Sequence, residues 1–172
     1  MKNETLYNKT VDILVQAYFN DTLISGVCEA CAVGNLIASN NGYKIEILNG
    51  EAQWFNKGNY PLEPTWKSVF VSNATEYFWG LFRSVQQDVN LRNYTGGTRK
   101  EIDSTGYTVQ ELALIERAFE KGYRGLGDRM FNALMSVVNC LDQIHENTDP
   151  VAAEQTKRKF NKTLTNKVTK LN

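Results

Sequence analysis

Cys28 and Cys31, in the run Gly26-Val27-Cys28-Glu29-Ala30-Cys31-Ala32-Val33-Gly34-Asn35-Leu36-Ile37, have the spacing of a redox pair or of half a metal site. A closed zinc site takes about four nitrogen or sulfur ligands. Beyond this pair the chain offers only Cys140 and His145. A redox pair needs a low-pKa thiol, which a helix N-terminus favours and which Cys31 is placed to meet. Redox folds of the thioredoxin type carry the pair after a strand, however, and here a helical pattern precedes it. Three readings therefore stand: redox chemistry, metal binding, and a packed loop-to-helix junction, the last being how small buried thiols ordinarily serve. Cysteine-nucleophile catalysis would need His145 as its base. That residue continues an apolar stripe to the end of its helix, where the dipole favours a protonated imidazole. Asp142, His145 and Glu146 crowd the same turn, as a proton-handling cluster or as an ordinary solvated helix end.

Two glycine-rich stretches suggest anion chemistry. Gly96-Gly97-Thr98-Arg99-Lys100 offers flexible amides and two cations but lacks P-loop spacing. Gly122-Tyr123-Arg124-Gly125-Leu126-Gly127-Asp128-Arg129 lies where a helix begins, so helix amides add to Arg124 and Arg129, and Tyr123 supplies a ring. The expected ligand-binding residues are Tyr123, Arg124, Arg129 and Gly125, with Trp79 as a second aromatic surface and Arg99 and Lys100 as further cations. No catalytic residue, metal ligand set or cofactor is assigned.

The elements that would position these groups follow from periodicity. Leu6, Thr10, Ile13, Leu14, Ala17 and Tyr18 share one side of a 3.6-residue repeat, predicting a helix over 4–19 that ends near Asn20-Asp21. A short helix over 30–39 should stop at Asn40-Asn41-Gly42. The period then changes to two: Tyr43, Ile45 and Ile47 alternate with polar residues up to Asn49-Gly50, a type I′ turn signal, and Ala52 and Trp54 resume the alternation. Residues 58–64 read as loop. A capping box at Asn73–Glu76 opens an aromatic helix over about 74–90, and residues 91–107 read as a flexible loop. Thr108 and Glu111 make a second capping box for a helix stopping at Gly122, and Asp128 caps a helix with the stripe Phe131, Leu134, Met135, Val138 and Leu141. Thr148-Asp149-Pro150 restarts a last helix.

The fold class expected is mainly α: five or six helices in one compact domain, with a small β-hairpin near residues 43–55. Residues 1–150 form that domain, and 151–172 a basic C-terminal helix that lies on the surface or contacts a second copy as a homo-oligomer. Nineteen acidic and nineteen basic side chains cancel over the 172 residues. From 154 to 172, six cations face one carboxylate, a local net of +5. That tail makes nucleic acid a candidate partner, although no aromatic platform interleaves its charges. No apolar run approaches the ~20 residues that span a bilayer, and the N-terminus has no apolar leader segment, so no membrane contact and a cytoplasmic location are expected.

The segments 28–37, 106–119 and 132–146 together resemble an uncharacterised family of small proteins from Bacteroidetes and their phages. The resemblance covers about half the chain and carries no assigned activity. It implies a phage-type context, in which small proteins without enzyme motifs often act against host defence, some by sequestering nucleotide signals. The expectation is thus a non-enzymatic phage-type binding protein, cytoplasmic, acting on a small nucleotide-like ligand or a host protein. The alternatives are a nucleic-acid-associated accessory protein using the C-terminal helix, and a thiol or metal-dependent enzyme at Cys28/Cys31.

Overall fold

The computed structural model describes residues 2–70, 91–124 and 127–146, together with Arg158 and Lys162. Asn3 opens helix α1 (Glu4–Phe19) by accepting the Leu6 amide on its side chain, and the helix ends at Asn20, with Asp21 in positive φ. Helix α2 (Ala32–Asn41) ends on Gly42 in the left-handed conformation, the stop that Asn-Asn-Gly signals. Strands β1 (Lys44–Leu48) and β2 (Glu51–Phe55) pair antiparallel from Lys44 opposite Phe55 to Leu48 opposite Glu51. Asn49 (φ 54°) and Gly50 (φ 85°) supply the two positive-φ positions of the turn.

Residues 58–64 are not all loop. The Asn56 side chain accepts the amides of Gly58 and Tyr60, folding the chain back so that β3 (Pro61–Leu62) joins β2 and completes a three-stranded sheet ordered β1-β2-β3. Proline is tolerated there because β3 is an edge among the described residues. A helical turn, α3 (Lys67–Phe70), follows.

Residues 91–107 are not a loop either. A 3-10 turn (Leu91–Asn93) leads into helix α4 (Gly96–Asp103), which buries Thr98, Glu101 and Ile102. Local propensity disfavours a helix opening on two glycines; one fully buried isoleucine and the anchoring of Glu101 override it. Helix α5 (Val109–Tyr123) begins with the expected capping box, and α6 (Arg129–Ile144) begins on Asp128, whose carboxylate accepts the Phe131 amide at 3.0 Å. Helix α5 does not stop at Gly122 but at Tyr123. Gly122 is instead a packing position: a Cβ there would stand 2.6 Å from the Asn132 carbonyl oxygen and 2.7 Å from the Ala133 Cα. The α5–α6 pair is the broadest helix contact among the described residues.

The fold is mainly helical with a small antiparallel sheet. Its core joins Tyr7 and Leu14 of α1, Leu36 and Ile37 of α2, Trp54 of β2, Ile115 and Phe119 of α5, and Leu134 and Leu141 of α6, all at most 1% exposed. Ala133 and Val137 replace Phe131 and Met135 on the deeply buried side of α6. Among the described residues no helix is long and apolar enough to cross a membrane. The aromatic helix expected over 74–90, and all but two residues of the basic tail, lie outside the described residues.

Candidate functional site

The cysteine segment is a junction whose polar groups are nearly all engaged. Cys31 is the N-cap of α2: its Sγ accepts the Gly34 amide and donates to the Cys28 carbonyl, both at 3.3 Å. Asn35 lies under the loop and donates to the carbonyls of Thr22, Ala30 and Cys31. Trp54 donates its indole N–H to the Glu29 carbonyl. From the opposite side α5 presents two carboxylates one turn apart. Glu116 accepts the Val33 amide at 3.2 Å, while Glu120 accepts the Gly26 amide at 2.8 Å and the Ser25 hydroxyl at 2.6 Å.

These carboxylates reverse the electrostatics expected of a reactive pair. A helix N-terminus stabilises a thiolate, but burial pushes the Cys31 thiol well above the ordinary range, and Glu116 adds to the shift. Burial, reinforced by Glu116, raises Cys28 to about 11. Burial alone takes Cys140 to about 11. Neither member of the pair has the low-pKa thiol that redox exchange needs. Among the described residues, no group of three or more His, Cys, Asp or Glu side chains is arranged to hold a metal ion.

His145 is the C-cap of α6, but it is only 3% exposed. Its Nε2 lies 3.0 Å from the Tyr107 hydroxyl, which in turn lies 2.9 Å from the Thr10 hydroxyl, and both Tyr7 and Tyr107 meet its ring edge-on. Burial lowers the His145 pKa from its ordinary value, against the protonated form that the helix end favours. The proton-handling cluster disperses as well. Asp142 accepts from Tyr7 at 2.9 Å and Glu146 pairs with Lys2, while His145 faces Tyr107.

At the start of α6, Arg124 caps the end of α5, Arg129 is the first residue of α6, and both are exposed. Tyr123 is half-buried against the core. These three stand at one junction, with the Asp128 carboxylate already seated on the first turn of α6. Gly125 and Trp79 lie outside the described residues. Arg99 and Lys100 stand elsewhere, exposed on α4, so the flexible cradle expected of residues 96–100 is corrected to a helix. Arg99 pairs with Asp103 at 3.3 Å and lies over the Tyr94 ring.

Comparison with family models, curated proteins and solved structures finds no match. What the chain can do is therefore read from its own surfaces.

The sheet supplies one that the motifs do not signal. An open cleft of about 600 Å³ lies beside the hairpin, with Leu48, Ala52 and Leu62 in its lining and Glu29, Glu51 and Glu63 contributing carboxylates. Lys67 sits 3.7 Å from Glu29 and 3.5 Å from Glu63, leaving the carboxylates in excess. Sequence reasoning misses this cleft because β3, which forms one wall, falls in a stretch that reads as loop. It also misses Glu101, Glu116 and Glu120. The last two carry a signal: at spacing i, i+4 they continue the buried side of α5 set by Leu112, and a carboxylate on a core face implies a specific partner.

Proposed function

We infer that this is a non-enzymatic binding protein of the phage type its sequence resembles, and that its partner is a host protein met at the hairpin cleft. The observation that carries the reading is the cleft itself, whose mainly polar lining holds an excess of carboxylates to select a cationic segment, with Leu48, Ala52 and Leu62 offering a smaller apolar contact. Its supporting context is that burial raises all three thiols, Cys28 and Cys140 to about 11 and Cys31 well above the ordinary range, away from the values that nucleophilic work requires, and that His145 is buried against Tyr7 and Tyr107. A host defence protein is the partner class that the phage-type context supplies.

Titration with an oligolysine peptide, followed by amide chemical shifts, tests the cleft. Ala52, Gln53 and Leu62 should respond, the response should weaken with salt, and Glu51→Lys/Glu63→Lys should abolish it. An equal response to oligoglutamate, or none at the sheet, would remove the reading.

A second reading has its own observation. Tyr123 and Arg124 stand at the end of α5 and Arg129 at the start of α6, both arginines exposed, groups of the kind that bind a phosphate and a base. A nucleotide must there compete with the Asp128 carboxylate, so this version ranks second. Calorimetric titration with linear and cyclic nucleotides tests it, with intact recovery of the ligand expected. Nucleic-acid binding through the 151–172 segment is the third proposal; of that segment the structure describes Arg158 and Lys162, both helical and exposed.

A further inference from the structure

The edge of β1 that is unpaired among the described residues carries a pattern that no part of the cleft explains. A two-residue turn makes Leu48 and Glu51 a hydrogen-bonded pair, and the alternation continues through Glu46–Gln53 and Lys44–Phe55. The peptide groups of Ile45 and Ile47 consequently point away from β2. The sheet order makes β1 an edge among the described residues, and Ile47 at its outer end is 39% exposed. On the outward face of the same strand, Lys44 and Glu46 stand two residues apart and form an ion pair at 2.5 Å.

We propose that the β1 edge is a homodimer interface, on which a second copy of this chain pairs its own β1 antiparallel about a two-fold axis at Ile45. Charge selects both occupant and register. An axis at Glu46 sets carboxylate against carboxylate, an axis at Lys44 sets ammonium against ammonium, and an axis at Ile47 sets Glu46 against Leu48. With the axis at Ile45, Lys44 of each copy lies directly opposite Glu46 of the other, so the two intrachain pairs merge into a four-charge ladder of alternating sign. The Ile45 peptide groups then pair reciprocally, and each Ile47 N–H reaches the Tyr43 carbonyl of the other copy. The Tyr43 amide is not required there, since it already donates to the Ala38 carbonyl at 2.8 Å. Ile47 falls opposite Tyr43 and loses its exposure, and the two sheets become one of six strands. Isolated charges of one sign on an edge strand repel pairing; a Lys-x-Glu pair is complementary to its own two-fold image.

Charge reversal in the full chain tests both surface and register by sedimentation velocity over a concentration series. The native chain should dimerise. Lys44→Glu and Glu46→Lys each oppose like charges twice and should weaken self-association roughly tenfold or more. Mixed together, the two single variants should associate with each other, because the strand that Lys44→Glu makes wholly acidic then faces the strand that Glu46→Lys makes wholly basic. The double variant Lys44→Glu/Glu46→Lys should dimerise as the native chain does. The changed side chains lie on the outward face of the strand, and unchanged far-UV circular dichroism verifies the fold. A native chain that stays monomeric throughout overturns the proposal. So does a dimer insensitive to either reversal, or a pair of single variants that fail to associate when mixed.

Discussion

Glu120 of α5 holds the Gly26 amide at 2.8 Å across 94 residues of sequence, and its second oxygen takes the Ser25 hydroxyl. One carboxylate thus fixes the approach to the cysteine segment, where Gly26 adopts positive φ (76°). Truncation to Glu120→Ala removes the acceptor of two donors in one step. The variant should lose about 1–3 kcal/mol of stability. Hydrogen exchange at the Gly26 amide should accelerate before global unfolding, and unchanged protection there would show that the contact does not hold the loop.

Helix α5 meets α6 through Gly122. Alanine is the better helix former by about 1 kcal/mol, yet a Cβ at this position enters the backbone of Asn132 and Ala133. Overpacking against backbone costs about 1–3 kcal/mol, so Gly122→Ala should lower the urea midpoint. An increase would mean that the two helices part without penalty.

Native thiol reactivity should be low. Raising Cys28 and Cys140 from 9.0 to about 11 cuts their thiolate fraction near neutral pH about a hundredfold. Labelling with a disulfide reagent should be slow in the folded protein and fast for all three cysteines in denaturant. Rapid labelling of one native thiol would revive the redox reading of the pair.

The buried imidazole sets a pH dependence. His145 has its pKa lowered in the fold, so the unfolded chain takes up the proton first as pH falls. Its contribution is complete well above the ordinary value of 6.5 and is lost as pH drops through that value toward the folded pKa. The native chain should therefore lose stability between neutral and mildly acidic pH more steeply than His145→Asn. Parallel urea curves across that window would show that the ring titrates alike in both states.

Local signals in the sequence anticipate local structure. The α1 helix, the Asn49-Gly50 turn, the Thr108/Glu111 box and the Asp128 cap each depend on residues near one another in the chain and appear where expected, although the buried side of α1 is centred on Tyr7, Val11 and Leu14, with Leu6, Ile13 and Tyr18 half-buried at its margins. The misreadings are long-range. Helix α4 exists because Glu101 reaches the amides of Thr65 and Trp66 and because Ile102 finds the core, neither of which is visible in a glycine-rich window. Strand β3 depends on β2 beside it. The environment of Cys31 escapes a local reading for the same reason: its own helix favours a thiolate, and the opposing Glu116 comes from 85 positions further along the chain.

Those far-reaching carboxylates also impose an order of events during synthesis. Helices α1 and α2 leave the ribosome together with the Ser25–Val33 segment, but the side chains that secure it, Glu116 and Glu120, have not yet been translated. At about 5–20 residues per second the wait is roughly 5 to 20 s. Throughout it the amides of Gly26 and Val33 lack their carboxylate acceptors, α2 has no α5 to pack on it, and α1 has no α6. The Ser25–Val33 segment therefore gains its carboxylate contacts only once α5 has been synthesised.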